Sequence, residues 1–313
     1  MTSPEPIPSA TSALITRTVC PGCGGPGPFK LYAEANVDPG KLDGLAFASR
    51  KDPELMHHRL VVCPRCDLLL ANPIPSPDAV GQAYHDAAFD SADEARCASR
   101  TYANLVERVR SALPDTDGVL DIGTGEGSFL EELARRGFTG LAGVEPSAAP
   151  VAAAKPEIRP LIRHELFNVN AFAPGSFSLV TCFQTVEHVF EPAQLAREVL
   201  TLLKPGGAFL VVCHNRRAMS AKILGLRSPI FDIEHMQLFS IKASSALLSG
   251  AGYERVRSGM IFNRYPAHYW AKLLPLGSRK AAVVRRMRGS ALGRAKVALP
   301  AGNQVAVGFR PLG

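Results

Sequence analysis

From residue 118 onward, short apolar runs alternate with amphipathic segments. The amphipathic segments Glu126–Arg136 and Pro192–Leu203 have the periodicity of helices. Uninterrupted apolar strands are typical of parallel sheets that are covered on both faces, so the alternation predicts an α/β fold. The apolar runs are Val119–Ile122, Leu141–Val144, Ser178–Cys182 and Phe209–Cys213.

The amino-terminal third has a different pattern. Gly and Pro are frequent between Cys20 and Cys66, where there is little helical periodicity. Ser76-Pro-Asp78 predicts a helix that reaches about His85, and a second helix is predicted through residues 102–110. We therefore predict a flexible tail rich in Pro, Ser and Thr (1–16), a small module (17–75), a helical linker or lid (76–113) and an α/β domain (114–313).

The composition excludes several classes of protein. The chain has 313 residues, of which 46% are hydrophobic and 20% are charged, so it is long and apolar enough for a sizeable core. No uncharged apolar run approaches the roughly 20 residues of a membrane span. Residues 1–8 lack the basic and apolar parts of a secretion signal. We expect a cytoplasmic protein.

Charge is distributed unevenly along the chain. The net charge is +7, yet no acidic residue follows Glu254, whereas twelve Lys and Arg residues do, so the preceding part carries −5. This asymmetry indicates a negatively charged partner near the carboxyl-terminal region, or alternatively a basic face that is simply solvated.

Four of the seven cysteines form two pairs, Cys20-Pro-Gly-Cys23 and Cys63-Pro-Arg-Cys66. Each pair can present two thiolates to one ion, so together they predict a tetrahedral, structural zinc site without an open position for catalysis. A redox pair or disulfides are the alternatives, but a redox pair at Cys20 and Cys23 would leave the second pair unexplained.

The strand Val119–Ile122 runs directly into the glycine-rich turn Gly123-Thr-Gly-Glu-Gly127, and a helix follows. Such a turn lets a ligand approach the backbone closely, but Ser128 replaces the third glycine of the dinucleotide fingerprint. Asp121 and Glu126 would repel a diphosphate. They would attract the ammonium and sulfonium groups of S-adenosylmethionine (SAM).

Glu145 ends the next predicted strand, twenty residues after Gly125. At that position a carboxylate can accept hydrogen bonds from both hydroxyls of a ribose.

These residues resemble the class I SAM-dependent methyltransferases. The resemblance is carried by four ordered blocks, Val119–Gly127, Gly143–Ser147, Val186–Pro192 and Leu202–Leu210. The cysteine pairs followed by Ala71–Pro77 look like a subgroup with a zinc-binding module, and Asp232–Ser240 and Gly302–Val307 extend the similarity. That subgroup includes deoxysugar C-methyltransferases and proteins of glycan and natural-product pathways. Asp67 departs from its pattern, which usually has Gly there.

The resemblance implies a Rossmann-like, seven-stranded sheet whose last strand is antiparallel. Tyr253–Ile261 would be the sixth strand and Val305–Arg310 the seventh, with residues 263–300 as a basic helical insertion near the substrate. Phe183 is open to a second interpretation, as a core residue. The residues implied in SAM binding are Asp121, Gly123, Gly125, Gly127, Glu145, Phe183 and Gln184.

Histidine is the natural general base near neutral pH. His188, His214 and His235 are predicted at the carboxyl edge of the sheet, and the sugar-methylating relatives implicate positions equivalent to 188 and 235. We predict His235 as base with Glu234 assisting, His188 as a substrate-positioning residue or else a helix cap, and Tyr84 as a contribution from the lid.

These observations favour a methyltransferase acting on a small-molecule acceptor, such as a sugar, glycan or natural-product intermediate. The basic residues would suit an acceptor bearing phosphate in a nucleotide or lipid linkage. The alternatives are an rRNA or other nucleic-acid methyltransferase with a zinc module, and a non-catalytic SAM-fold binding protein.

Overall fold

A seven-stranded mixed sheet forms the centre of the computed structural model, which describes residues 14–38, 55–76, 92–272, 280–300 and 302–313. The strands of the chain, in order, are β1 (Leu14–Ile15), β2 (Lys30–Ala33), β3 (Leu60–Val62), β4 (Leu69–Ala71), β5 (Ile74–Pro75), β6 (Asp117–Ile122), β7 (Thr139–Val144), β8 (Ile162–Arg163), β9 (Phe177–Phe183), β10 (Leu203–His214), β11 (Gln237–Leu238), β12 (Glu254–Met260), β13 (Asn263–Pro266), β14 (Lys296–Leu299) and β15 (Asn303–Phe309).

Helices connect most of these strands. They are α1 (Ala92–Glu107), α2 (Ser128–Arg135), α3 (Ala148–Ala153), α4 (Pro192–Leu202), α5 (Met219–Leu224), α6 (Ile241–Gly250), α7 (Ala267–Lys272), α8 (Lys280–Arg288) and α9 (Ala291–Arg294). None of the helices in the described ranges is long and apolar enough to cross a membrane.

The strand order in the central sheet is β12-β15-β10-β9-β6-β7-β8. Strands β6 to β10 run parallel to one another, whereas β15 is antiparallel to both β10 and β12. This confirms the predicted Rossmann-like, seven-stranded sheet with an antiparallel last strand.

Apolar helix faces cover both sides of this sheet. On one side, Leu195 and Val199 of α4 pack in a core cluster with Leu247 of α6. On the other side, Val106 of α1 packs in a second cluster with Leu133 of α2. All seven residues of β9 are buried, as the uninterrupted apolar run predicts for a strand between two layers.

Two helix boundaries differ from those that the sequence periodicity predicts. Helix α2 begins at Ser128 rather than Glu126, because Gly127 at its N-cap has φ +75°, outside the helical region. Helix α1 ends at Glu107, and a separate short turn follows at Arg110–Ala112. The helix predicted from residue 76 to about 85 lies outside the described residues.

The amino-terminal module has its own antiparallel sheet, in the order β11-β4-β3-β2. Strand β11 comes from the excursion after β10, and the Ala71 amide donates to the Met236 carbonyl at 2.8 Å beside it. Leu14 and Ile15, placed in the tail by composition, pair with β5 instead. Residues 1–13 lie outside the described part.

The carboxyl-terminal insertion is not purely helical. Strands β13 and β14 pair antiparallel at its two ends and bracket α7, α8 and α9. In β13, Asn263 and Tyr265 are buried while Arg264 is exposed, which is the alternation of a half-buried strand.

Candidate active site

One cavity of about 1400 Å³ opens at the carboxyl edge of the parallel strands. Its wall includes the glycine turn after β6, Glu145 after β7, Gln184 after β9 and His214 at the end of β10. Parallel strands bring these four segments together because all of them end at the same edge of the sheet.

The glycine turn is shaped for a close approach of backbone to ligand. Gly123, Gly125 and Gly127 all have φ between 60° and 77°, a conformation that side chains disfavour. A Cβ atom at Gly123 would clash with Thr185, and one at Gly127 would clash with Ile158. At Gly125, in contrast, a Cβ would meet nothing within 4 Å, so this backbone borders open space.

The Glu145 side chain connects the second strand to the glycine turn. One carboxylate oxygen accepts from the Gly125 amide at 2.9 Å, and the other accepts from the Ser147 amide at 2.9 Å. Burial raises the pKa of Glu145. Glu145 therefore lies in the cavity wall beside the glycine turn, and its oxygens are held in place by two backbone donors.

Asp121 is the second buried carboxylate in the cavity wall. It is 3% exposed, and Oδ1 accepts from the Thr181 hydroxyl at 2.6 Å. Burial raises its pKa to about 6. A cationic group placed beside Asp121 would stabilise its ionised form, as any opposite charge does for a buried carboxylate.

Phe183 and Gln184, at the end of β9, both border the cavity. Phe183 also packs in the core. Its ring centroid lies 4.6 Å from that of Tyr102 and 4.9 Å from that of Phe129, so this side chain lies both in the core and beside the cavity. Gln184 has φ +53°, and its buried Nε2 has no hydrogen-bond partner among the described residues. A buried amide donor without a partner is costly, and a ligand in this cavity would satisfy it.

Three imidazoles meet in the wall of the same cavity. The ring centroid of His235 lies 4.9 Å from that of His188 and 5.0 Å from that of His214. Each Nδ1 lies within hydrogen-bond distance of an oxygen that can only accept, so each neutral ring carries its proton on Nδ1 and its lone pair on Nε2. For His188, His214 and His235 in turn, these oxygens are the Glu234 carbonyl (3.0 Å), the Asn303 amide oxygen (2.9 Å) and the Ile230 carbonyl (2.9 Å).

The three rings differ in their surroundings. Burial lowers the pKa of His214 to about 4, so this ring stays neutral near pH 7. The Nε2 atom of His235 lies 3.9 Å from a Glu234 carboxylate oxygen, which is ion-pair distance but too long for a hydrogen bond. His188 does not cap α4, whose N-cap is Glu191. Tyr84 lies outside the described residues.

Glu187 is not among the site residues predicted from the sequence, although it belongs to the Val186–Pro192 block that carries the resemblance. Its side chain is fully buried, and Oε1 accepts from the His214 amide at 2.7 Å. Its backbone carbonyl accepts from the Met236 amide at 3.1 Å. Glu187 thus links the segments that carry all three histidines, and burial raises its pKa to about 7. An acidic residue next to a buried strand was the available sequence signal.

Comparison with known families matches residues 94–258, just over half of the chain, to a family described as a methyltransferase domain. The chain belongs to this methyltransferase family.

Individual relatives match a shorter part of the chain. The ubiquinone biosynthesis O-methyltransferase of Stutzerimonas stutzeri is 34% identical over 115 residues, which cover 34% of this chain and 49% of that protein. The enzyme of the same name from Psychrobacter cryohalolentis is 37% identical over 109 residues, which cover 33% of this chain and 42% of that protein. The chain therefore spans about half the length of the curated relatives it matches.

Among solved structures, the chain is similar to a SAM-dependent methyltransferase from Archaeoglobus fulgidus. The identity is 15% and the TM-score 0.46, with 67% of this chain and 94% of that one covered.

The four paired cysteines of the chain lie together in the amino-terminal module. All four Sγ atoms are within 4.8 Å of one another, with Cys20 and Cys66 3.6 Å apart and Cys23 and Cys63 3.8 Å apart. These separations are too long for disulfide bonds. Four thiolates about 2.3 Å from a tetrahedral zinc ion would be about 3.8 Å from each other, so the cluster fits zinc.

The two cysteine turns have matching backbones. Gly24 and Asp67, the residues after each pair, both have φ +67°, and their amides donate to the Cys20 and Cys63 carbonyls at 2.9 and 3.0 Å. Asp67 therefore adopts the conformation for which glycine is usual. Its carboxylate is ion-paired with Arg216 and, at 2.6 Å, with Arg217, both just after β10. This contact attaches the cysteine module to the methyltransferase domain.

Proposed function

We propose that this chain is a SAM-dependent methyltransferase acting on a small-molecule acceptor. The observation that carries the proposal is that one cavity joins the glycine turn and its two buried carboxylates to three imidazoles whose Nδ1 atoms each face an acceptor oxygen. The first group of residues suits the donor of a methyl group, and the second suits the removal of a proton from an acceptor.

The residues at the sheet edge fit SAM. When bound, SAM supplies an electrophilic methyl group on a sulfonium. Gly125 leaves room for the ligand, Glu145 offers two fixed oxygens for ribose hydroxyls, and Asp121 offers negative charge. The unpartnered Nε2 of Gln184 offers a buried donor within the described part of the chain.

His235 is the proposed general base. It is 7% exposed, so an acceptor proton would move to it in a site from which most water is excluded. The hydrogen bond from its Nδ1 to the Ile230 carbonyl fixes the ring, and the Glu234 carboxylate stabilises the imidazolium that forms. His188, whose ring is held by the Glu234 carbonyl, positions the acceptor, and Tyr84 contributes from the 76–113 lid.

A sugar, glycan or natural-product intermediate is the proposed acceptor. The resemblance to deoxysugar C-methyltransferases supports a carbon acceptor, whereas the names of the curated relatives support an oxygen acceptor. Either acceptor needs a base, and His235 is the proposed one. A nucleotide or lipid phosphate on the acceptor would bind the basic insertion, so Arg285→Glu with Arg286→Glu should raise the KM and leave kcat nearly unchanged.

The cysteine module is the proposed zinc-binding unit, with Cys20, Cys23, Cys63 and Cys66 as ligands. The sulfur spacing supports a closed structural site. The metal would then stabilise residues 17–75, which are too few to bury a large core of their own.

Two measurements test the proposed activity. Calorimetric titration should show SAM binding that Asp121→Ala weakens strongly, because the ligand then loses its buried counter-charge, while the exposed control Glu157→Gln binds normally. Incubation of metabolite extracts with isotopically labelled SAM should then yield a labelled small molecule. SAM binding without any labelled product would favour a non-catalytic binding protein, and absence of binding would refute the proposal.

A further inference from the structure

Two segments of the cavity wall continue onto the protein surface. The first is the flanking segment, residues 216–231, which contains α5 and contributes Ser220 and Leu224 to the cavity. The second is the basic insertion, residues 263–300, which contributes Val283 and Leu299. A surface formed by both segments therefore adjoins the cavity.

Large apolar side chains are exposed on the flanking segment. Met219 is 67% exposed, Ile223 is 75% exposed and Leu226 is 40% exposed. Met219 and Ile223, four residues apart, lie on one side of α5, and Leu226 lies in the short turn at Gly225–Arg227 that follows. In the insertion, Leu292 is 77% exposed. Exposed apolar side chains concentrated in a short segment beside a cavity, as in the flanking segment, are typical of an interaction surface.

The same two segments are basic throughout. The flanking segment has four Lys and Arg residues and no acidic residue. The insertion has nine Lys and Arg residues and also lacks acidic residues. Asp67 neutralises part of this charge at Arg216 and Arg217. Lys222 and Arg227, which alternate with the exposed apolar residues, have no ion-pair partner within the ranges that the structure describes.

We propose that the flanking segment and the basic insertion dock on an anionic membrane surface. Lys and Arg attract anionic headgroups, and Met219, Ile223 and Leu226 enter the boundary between headgroups and acyl chains. A nucleic acid would satisfy the charges but would leave the aliphatic side chains in water. The docked protein presents the cavity wall formed by α5 and the insertion to the lipid, and this inference does not depend on the methyl acceptor.

The experiment is vesicle co-sedimentation of the full chain at about 0.1 M salt. Vesicles of phosphatidylcholine with a quarter phosphatidylglycerol should bind the protein, and pure phosphatidylcholine should bind it far less. A basic residue near such a surface contributes about fivefold to partitioning, so Lys222→Glu with Arg227→Glu should weaken binding by roughly 25-fold or more. Met219→Ser with Ile223→Ser should also weaken binding, but without changing its salt dependence.

Matched variants elsewhere keep the test specific. Arg197→Glu with Arg257→Glu changes the net charge equally at exposed positions outside both segments, and Leu312→Ser removes an equally exposed apolar side chain. Both should bind as the wild type does. Trp270, the single tryptophan of the chain, lies in the insertion and should be quenched by spin-labelled lipid.

Several outcomes would overturn the proposal. They are equal loss of binding in the matched variants, no preference for anionic vesicles, or tighter binding to a polynucleotide than to vesicles. Circular dichroism and melting temperature of each variant separate loss of docking from loss of folding.

Discussion

Replacing the buried Glu187 with Gln should remove a specific part of the pH dependence of stability. Burial raises the pKa of Glu187 from an ordinary 4.5 to about 7. Between these values the folded chain keeps a proton that the unfolded chain releases, so this residue makes the protein less stable as the pH rises. Glu187→Gln keeps an oxygen for the His214 amide and cannot ionise.

The magnitude follows from the two pKa values. Relative to low pH, ionisation of Glu187 costs about 1 kcal/mol of folding stability at pH 5 and about 3 kcal/mol at pH 8. The free energy of unfolding of Glu187→Gln, minus that of the wild type, should therefore increase by roughly 2 kcal/mol over this interval. His214 acts in the opposite direction, because burial lowers its pKa to about 4, but its contribution is common to both proteins and cancels.

Urea unfolding at pH 5 and pH 8, followed by circular dichroism, measures this difference. Glu254→Gln, at an exposed position, is the matched control and should show almost no change between the two pH values. If the difference between Glu187→Gln and the wild type is the same at both pH values, Glu187 ionises as an exposed residue would, and the reasoning from burial is refuted.

Three further predictions concern the metal, the base and the cofactor pocket. Elemental analysis should find about one zinc per chain, and Cys63→Ser should lower both the zinc content and the melting temperature; full zinc content in that variant would exclude Cys63 as a ligand. His235→Ala should reduce turnover by roughly 10²–10⁴-fold while SAM binds normally, and normal turnover would place the base elsewhere. Gln184→Leu should weaken SAM binding by roughly 2- to 12-fold in calorimetry, the contribution of one hydrogen bond, whereas unchanged affinity would show that its amide does not contact the ligand.

The central strands of the sheet were predictable from sequence because each contains a short, mostly apolar run, and the helices between them have regular periodicity. The run at 178–182 and the segment from Pro192 both appear as elements close to the predicted bounds. Element ends were less predictable, since the start of α2 depends on the left-handed Gly127. The strands β13 and β14 were not predicted because they are short, and their pairing joins residues thirty or more positions apart.

The candidate site was predictable where a motif carries it. The positions of Glu145 beside Gly125 and of the cysteine cluster agree with the spacing of their motifs. Glu187 and the Asp67–Arg216 ion pair were not predictable, because each depends on which distant segments the fold packs against one another. Sequence spacing contains no direct information about such contacts.

The pairing of β11 with β4 has a consequence for how the protein folds during synthesis. Strand β4 ends at Ala71, but its neighbour β11 begins only at Gln237, so the small sheet is incomplete until the ribosome has passed that point. Until then, one edge of β4 presents unpaired backbone groups, which are a template for unwanted strand pairing. A nascent chain would carry this open edge while more than 160 further residues are added, and early metal binding by the cysteines would order the rest of the module during that period.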